Sequence, residues 1–435
     1  MLDLTQSPIA AVTPPAAGAT LAGRMAPPLR LPGEHFAAAL VFWLLGAAGL
    51  VWVAPDIARG SFPLPRVAAV THLFTLGWIT NTIQGALYQF LPVALQNPIR
   101  WPRVAHLSFA LYTPGLALFL VGLLGGRAAI MLPGAALFGT GLLLFAANLG
   151  ATLRKSPERN LTWWALTGAV VSLVSTVILG VSLAGNLRYG YLGEHRFLAM
   201  GVHLHVAVAG WVMLVIVGVA HRLLPMFLLS HGASERPGRM AAGLLAGGVA
   251  LLLVTHHALS RPLVWIIAAL LAGGVIAFLV QVALVFRHRK KPTLDPGIRL
   301  AVTGMGLLLL ALGIAPFFVI EGLSAPRVAT AYVAALLSAL SLFVAGHYYK
   351  ILPFLIWFHR FGPLVGKQPV PRVVDLYAQR PGNAAVALLG AGALGLVGAT
   401  LLGAISLARP AALLFAAGAV IVAVQMLTIS RRRPA

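Results

Sequence analysis

The sequence predicts an all-α, polytopic membrane protein of about twelve transmembrane helices, arranged as three four-helix repeats. Three observations predict it. First, 60% of the 435 residues are hydrophobic and only 9% are charged, a balance outside the range of soluble domains. Second, apolar runs long enough to cross a bilayer follow one another along most of the chain. Third, one spaced pattern of glycine, aromatic and proline residues recurs three times.

The charge balance narrows the partners. A net charge of +22 would suggest nucleic acid in a soluble chain. In a chain this apolar, membrane topology explains it better, and the surroundings are lipid. The sequence has no cysteine, which excludes disulfides, thiolate ligands and iron–sulfur clusters and leaves imidazole as the strong metal-binding group within the spans.

Residues 1–33 are rich in Pro and Ala and lack the apolar core of a signal peptide, so they are expected to be a disordered cytoplasmic tail. Residues 34–435 form the membrane domain. Hydropathy places its spans at roughly 35–54, 67–95, 104–124, 129–151, 162–185, 197–228, 240–258, 263–286, 298–320, 328–357, 384–406 and 411–430. The repeats then cover approximately 35–151, 162–286 and 298–430.

The pattern lies on spans two, six and ten. From His205 it runs Gly210 (+5), Trp211 (+6), Gly218 (+13) and Leu224-Pro225, the proline at +20. From His72 it runs Gly77, Trp78, Gly85, Tyr88 (+16) and Leu91-Pro92 at the same offsets. The third copy is fainter: Val333 stands at the imidazole position and Ser338-Ala339 replace Gly-Trp, while Gly346, Tyr349 and Leu352-Pro353 keep their places. The three Leu-Pro pairs lie 133 and 128 residues apart.

Assigning the tail and every second loop to one side collects 23 of the 31 basic residues there. The positive-inside rule makes that side the cytoplasm of a bacterial-type inner membrane, with both termini inside. His72, His203, His205, His256 and His257 then share one layer near the outer surface. A helix turns about 100° per residue, so His203 and His205 point to nearly opposite sides. His205 with the adjacent pair His256-His257 would supply three neutral imidazoles, a set that suits copper or zinc. His72 and His203 would then be the two axial ligands of a low-spin haem, with His205 the alternative haem ligand. The sequence leaves open which of His203 and His205 serves haem and which serves metal.

Each feature has a plainer explanation. A lone intramembrane histidine commonly bonds a carbonyl or hydroxyl, and two histidines at a helix end commonly act as a polar cap. Gly, Trp and Tyr serve close packing and aromatic belts. Five histidines at one depth on three helices are harder to explain that way.

Twelve spans in three units, with signatures on spans two, six and ten, resemble the catalytic subunit (subunit I) of haem–copper oxidases. The frame H–x4–G-W–x6–G–x2–Y–x3–P is most similar to the C-type cytochrome c oxidases. In that family, span six carries a copper ligand and the end of span seven an HH pair. Here His205 and His256-His257 lie 51 and 52 residues apart. His72 matches the family's low-spin haem ligand on span two. The resemblance breaks on span ten, where the family's H-x-H is replaced by Ala331 and Val333, and spans six and seven lack the oxidase tyrosine. NnrS-type haem- and copper-containing proteins share the frame and also lack a full oxidase centre.

The resemblance implies a haem protein, with copper possible, that carries electrons to or binds a diatomic gas, nitric oxide or dioxygen. It would be an oxidoreductase of the cytochrome oxidase or nitric oxide reductase kind, drawing on a separate cytochrome c or quinone donor. A non-catalytic relative in nitric oxide tolerance, a haem or metal sensor, and a transporter built on the repeats are the competing readings.

Overall fold

The computed structural model describes residues 28–434. The expected tail lies outside the described residues as far as residue 27. From Arg30 the chain is already helical, a few residues ahead of the sequence boundary. Pro32 does not prevent this, because the first turn has no intrahelical bond for its missing N–H to lose.

Twelve long helices follow in chain order: α1 (Arg30–Ala58), α2 (Pro65–His72, Leu73–Thr80 and Asn81–Ala94 end to end), α3 (Pro102–Leu124), α4 (Ala128–Lys155), α5 (Leu161–Tyr189) and α6 (Arg196–His205, Val206–Met213 and Leu214–Leu228). Then come α7 (Arg236–Thr255), α8 (Arg261–Arg287), α9 (Pro296–Glu321), α10 (Pro326–Ile356), α11 (Gln379–Leu402) and α12 (Ile405–Arg431). Among the described residues the only β-type pairing is a single bridge, Ser230 to Arg289, joining two loops.

Eleven of these helices are long and apolar enough to cross a membrane, and the chain is a multi-pass membrane protein. The helix outside that set is α2. Its hydropathy is diluted by Thr80, Asn81, Thr82 and Gln84, all of which are buried in the protein. A central helix need not be apolar, because its neighbours are other helices and not lipid. The apolar windows of α6 and α10 are 72% buried, against 28–50% in the other nine, so these two are also interior. The three helices that carry the sequence pattern thus form the middle of the bundle.

The glycines of the pattern are where each central helix crosses the helix that precedes it in the chain. A Cβ on Gly77 would sit 2.5 Å from Phe42 Cβ, and one on Gly85 2.9 Å from His35 Cβ, both on α1. On α6, Gly210 meets Ser172 and Gly218 meets Ala165 of α5. On α10, Gly346 meets the backbone of Gly297 on α9. Backbones approach this closely in a membrane only through small residues, and dispersion then holds them together.

The tryptophans of the pattern link one central helix to the next. Trp211 Nε1 donates to Thr80 Oγ1 at 3.2 Å. Trp78 Nε1 donates to the Ser341 carbonyl at 3.5 Å. Both acceptors stand at +8 in their own copies of the pattern. Trp78 also stacks on Tyr348 of α10 (4.7 Å) and packs on Trp43 of α1 (4.4 Å). Around this middle, α3 pairs with α4, α7 with α8 and α11 with α12, while α12 packs back on α1 and closes the ring.

Candidate functional site

His72 and His205 occupy the same position in their copies of the pattern, and their local structures match. Each is the last residue of an α-helical segment. Each is followed by an eight-residue π-helical stretch, Leu73–Thr80 and Val206–Met213. The wider i→i+5 turn is costly and is commonly retained where it re-aims a side chain. In each, the ring Nδ1 lies against the carbonyl four residues back: 2.7 Å to Ala68 for His72 and 2.8 Å to Gly201 for His205. A carbonyl only accepts, so Nδ1 carries the proton and Nε2 keeps its lone pair. A histidine prepared as a metal ligand has this arrangement.

The surroundings of the rings differ. His72 lies edge-on to Phe119 of α3, with ring centroids 5.5 Å apart. His203, two residues before His205, turns towards α5, where a Cβ on Gly180 would fall 3.0 Å from its Cε1. Its Nδ1 is buried without a hydrogen-bond partner. His205 turns the other way, towards α9 and α10. Its Nε2 stands 3.3 Å from the Tyr332 hydroxyl, and its ring stacks on Tyr332 and Phe318. One short segment of α6 therefore faces α5 with one histidine and α9 and α10 with the other, as the roughly 200° between them requires.

His256 and His257 lie just beyond the end of α7. Both are exposed, and their rings stand edge-on with centroids 5.7 Å apart. His256 Nδ1 is held by the Leu253 carbonyl at 2.8 Å. Among the described residues no three His, Asp or Glu side chains approach closely enough to hold one ion, so His205, His256 and His257 are not gathered into a copper set as they stand. The residues that would hold a haem are His72, a fixed ring with Nε2 unbonded among the described residues, and His203, whose buried Nδ1 has no partner and whose ring packs directly against Gly180.

Tyr332 was not legible as a site residue. It stands one position before Val333, which holds the imidazole place of the third copy, and that offset turns its side chain towards α6. The sequence signal was present only as an aromatic next to a degenerate pattern position. Spans six and seven contain no tyrosine, yet a tyrosine from span ten reaches the span-six histidine.

The buried histidines His35 and His347 have structural partners. His35 bonds Asn81 (3.2 Å) and packs against Tyr88 and Phe109. His347 repeats the Nδ1-to-carbonyl arrangement with Phe343 at 2.8 Å, at the far end of the bundle. Comparison of the chain with protein-family models and with curated protein sequences finds no match.

Proposed function

We propose that this chain is a haem-binding integral membrane protein of the haem–copper oxidase subunit I kind, built from three four-helix repeats, and that it handles nitric oxide or dioxygen at its histidine end. The observation that carries it is the twofold occurrence of one device. His72 and His205, at the same pattern position, are each fixed by a carbonyl at Nδ1 and followed by a π-helical turn; Nε2 of His72 makes no hydrogen bond among the described residues, while that of His205 faces the Tyr332 hydroxyl. The ring geometry recurs at His288 and His347, so the weight rests on the π-helical turn that directly follows both pattern histidines. The repeat itself is supported by the pattern glycines crossing the first helix of each unit and by the indole bonds at matching offsets.

In this proposal His72 and His203 hold the haem, and His205 stacks on Tyr332 and Phe318. The group would supply a redox-active iron for electron transfer or gas binding. The protein's own part is to keep the imidazoles neutral, to hold their planes and to exclude water. A bacterial-type inner membrane with both termini in the cytoplasm follows from the basic loops. Electrons would come from a cytochrome c or quinol on a separate partner, because no C-x-x-C-H is present. Copper at His205, His256 and His257 requires the end of α7 to reorganise, and is a separable part of the proposal.

The deciding experiment is the optical spectrum of the purified protein. A Soret band with six-coordinate low-spin features is expected, and His72→Ala should abolish or convert it while the protein still inserts. A colourless protein overturns the haem proposal, and an unchanged spectrum removes His72 from it. Elemental analysis of the protein against the double variant His256→Ala, His257→Ala tests copper: equal content in both removes that metal. Turnover with a chemical electron donor separates an enzyme from a binding protein.

A further inference from the structure

At the end of the bundle away from the site histidines, the Leu-Pro ends of α2, α6 and α10 draw apart around a cavity of about 900 Å³. The volume lies at the upper end of the roughly 300–1,000 Å³ usual for small-molecule sites. The walls are mostly apolar, with Leu87, Val215, Ile216, Phe343 and Val344 among them. Val93, Met226 and Phe354 line it too and are 49%, 58% and 47% exposed, so the cavity is open at this end of the bundle.

The polar part of the lining has one sign in excess. Lys291 (3.0 Å) and Lys350 share the single carboxylate of Asp295, so one ammonium is left uncompensated. Arg222 also lines the cavity and makes no ion pair among the described residues. Glu158 offsets only part of this. His347 stands in the same wall with Nδ1 fixed by the Phe343 carbonyl, leaving Nε2 as its remaining nitrogen. Gln89 Oε1, also in the lining, has no partner.

We propose that this cavity binds a single-chain amphiphilic anion, its hydrocarbon body between the central helices and its carboxylate or phosphate head against Arg222 and the Lys291–Lys350 pair. An apolar ligand would leave the cationic groups desolvated and uncompensated, and an inorganic anion would leave the walls empty. The volume holds one chain, and the open end of the cavity lets it enter. The site is at the opposite end of the bundle from the site histidines and does not depend on haem there.

The test is equilibrium binding of radiolabelled palmitate to the full chain in neutral-lipid nanodiscs, corrected for empty discs. Saturable binding of about one palmitate per chain is expected. Unlabelled palmitate and hexadecyl phosphate should displace it, and hexadecanol should not. Arg222→Gln, at an exposed position, should weaken binding roughly tenfold, the loss of one charge-assisted contact. Ala86→Phe, which fills the cavity, should abolish saturable binding with the optical spectrum and thermal midpoint unchanged. The proposal is overturned by non-saturable binding, by equal displacement with hexadecanol, or by indifference to both variants. Equal displacement by phosphatidylglycerol would assign the cavity to membrane lipid and also overturns it.

Discussion

At the scale of single residues, close approach sets the costs. Gly77 has no room for a side chain, because an added Cβ would lie 2.5 Å from Phe42 Cβ and 2.6 Å from its Cγ. Gly243 on α7 has nothing within 4 Å. Gly77→Ala should therefore destabilise by about 1–3 kcal/mol, the usual cost of overpacking, while Gly243→Ala should be neutral or slightly stabilising through helix propensity. Thermal unfolding in detergent distinguishes them, and equal midpoints would refute the packing account. Asp295 presents the opposite case, since its removal leaves charges behind. Its carboxylate, nearly buried, is shared by Lys291 and Lys350. Asp295→Asn should cost roughly 3 kcal/mol, the low end of what an uncompensated buried charge costs. Burial is the largest single influence on this carboxyl and raises it, but the Lys350 and Lys291 ammoniums together outweigh it and hold it below its ordinary 3.8. A depressed folded value means that the contribution is complete above the ordinary value and is lost as pH falls through the lower, folded one. Acid titration of the thermal midpoint should show that loss below about pH 4 in the wild type and less of it in Asp295→Asn.

At the scale of elements, the sequence was a good guide to where helices lie and a poor one to how they turn. Spans were legible because water-to-lipid transfer acts on every residue of a run. The span-two polar residues were no obstacle, because Gly-Trp and Leu-Pro fixed its identity despite Asn81 and Gln84. The π-helical stretches were illegible. They arise from the fit of α2 against α1 and of α6 against α5, and no local propensity encodes that fit. The Tyr332–His205 contact was hidden for the same reason, being a meeting of residues 127 positions apart. The wide turn of α6 gives a direct test. Deleting Ala207 should tighten Val206–Met213 to an ordinary α-helix and rotate His205 by about 100° relative to Trp211. Either the ring or the indole then loses its partner. If His205 takes part in the site, the optical spectrum of the haem-loaded protein should change while helix content by circular dichroism persists. An unaltered spectrum would detach the π-turn from the site.

At the scale of the molecule, the distribution of charge bears on what the histidine end can do. Reducing dioxygen to water takes four electrons and four protons, delivered into a low-dielectric interior. Protons cross roughly 30 Å of hydrocarbon only along titratable groups or ordered water. The described carboxylates sit near helix ends, several of them committed to ion pairs: Glu34 to His106, Asp56 to Arg66 and Arg59, Asp295 to two lysines. Between the Leu-Pro end and the histidine layer, α10 offers His347, Tyr348 and Tyr349. Tyr348 donates to the Phe36 carbonyl and Tyr349 lies 2.7 Å from Gln425 Nε2, so both hydroxyls are already held. On the proposed resemblance, Ala331 and Val333 stand where span ten of an oxidase carries its haem-binding histidines. Nitric oxide chemistry asks for fewer electrons and can draw its protons from the nearby surface. The chain alone is therefore expected to reduce dioxygen slowly and to pump no protons, and to bind or turn over nitric oxide in preference. Proteoliposomes with a chemical electron donor, followed by an oxygen electrode and an external pH probe, test this. Rapid cyanide-sensitive dioxygen uptake coupled to acidification would require a proton path that this distribution of charge does not provide.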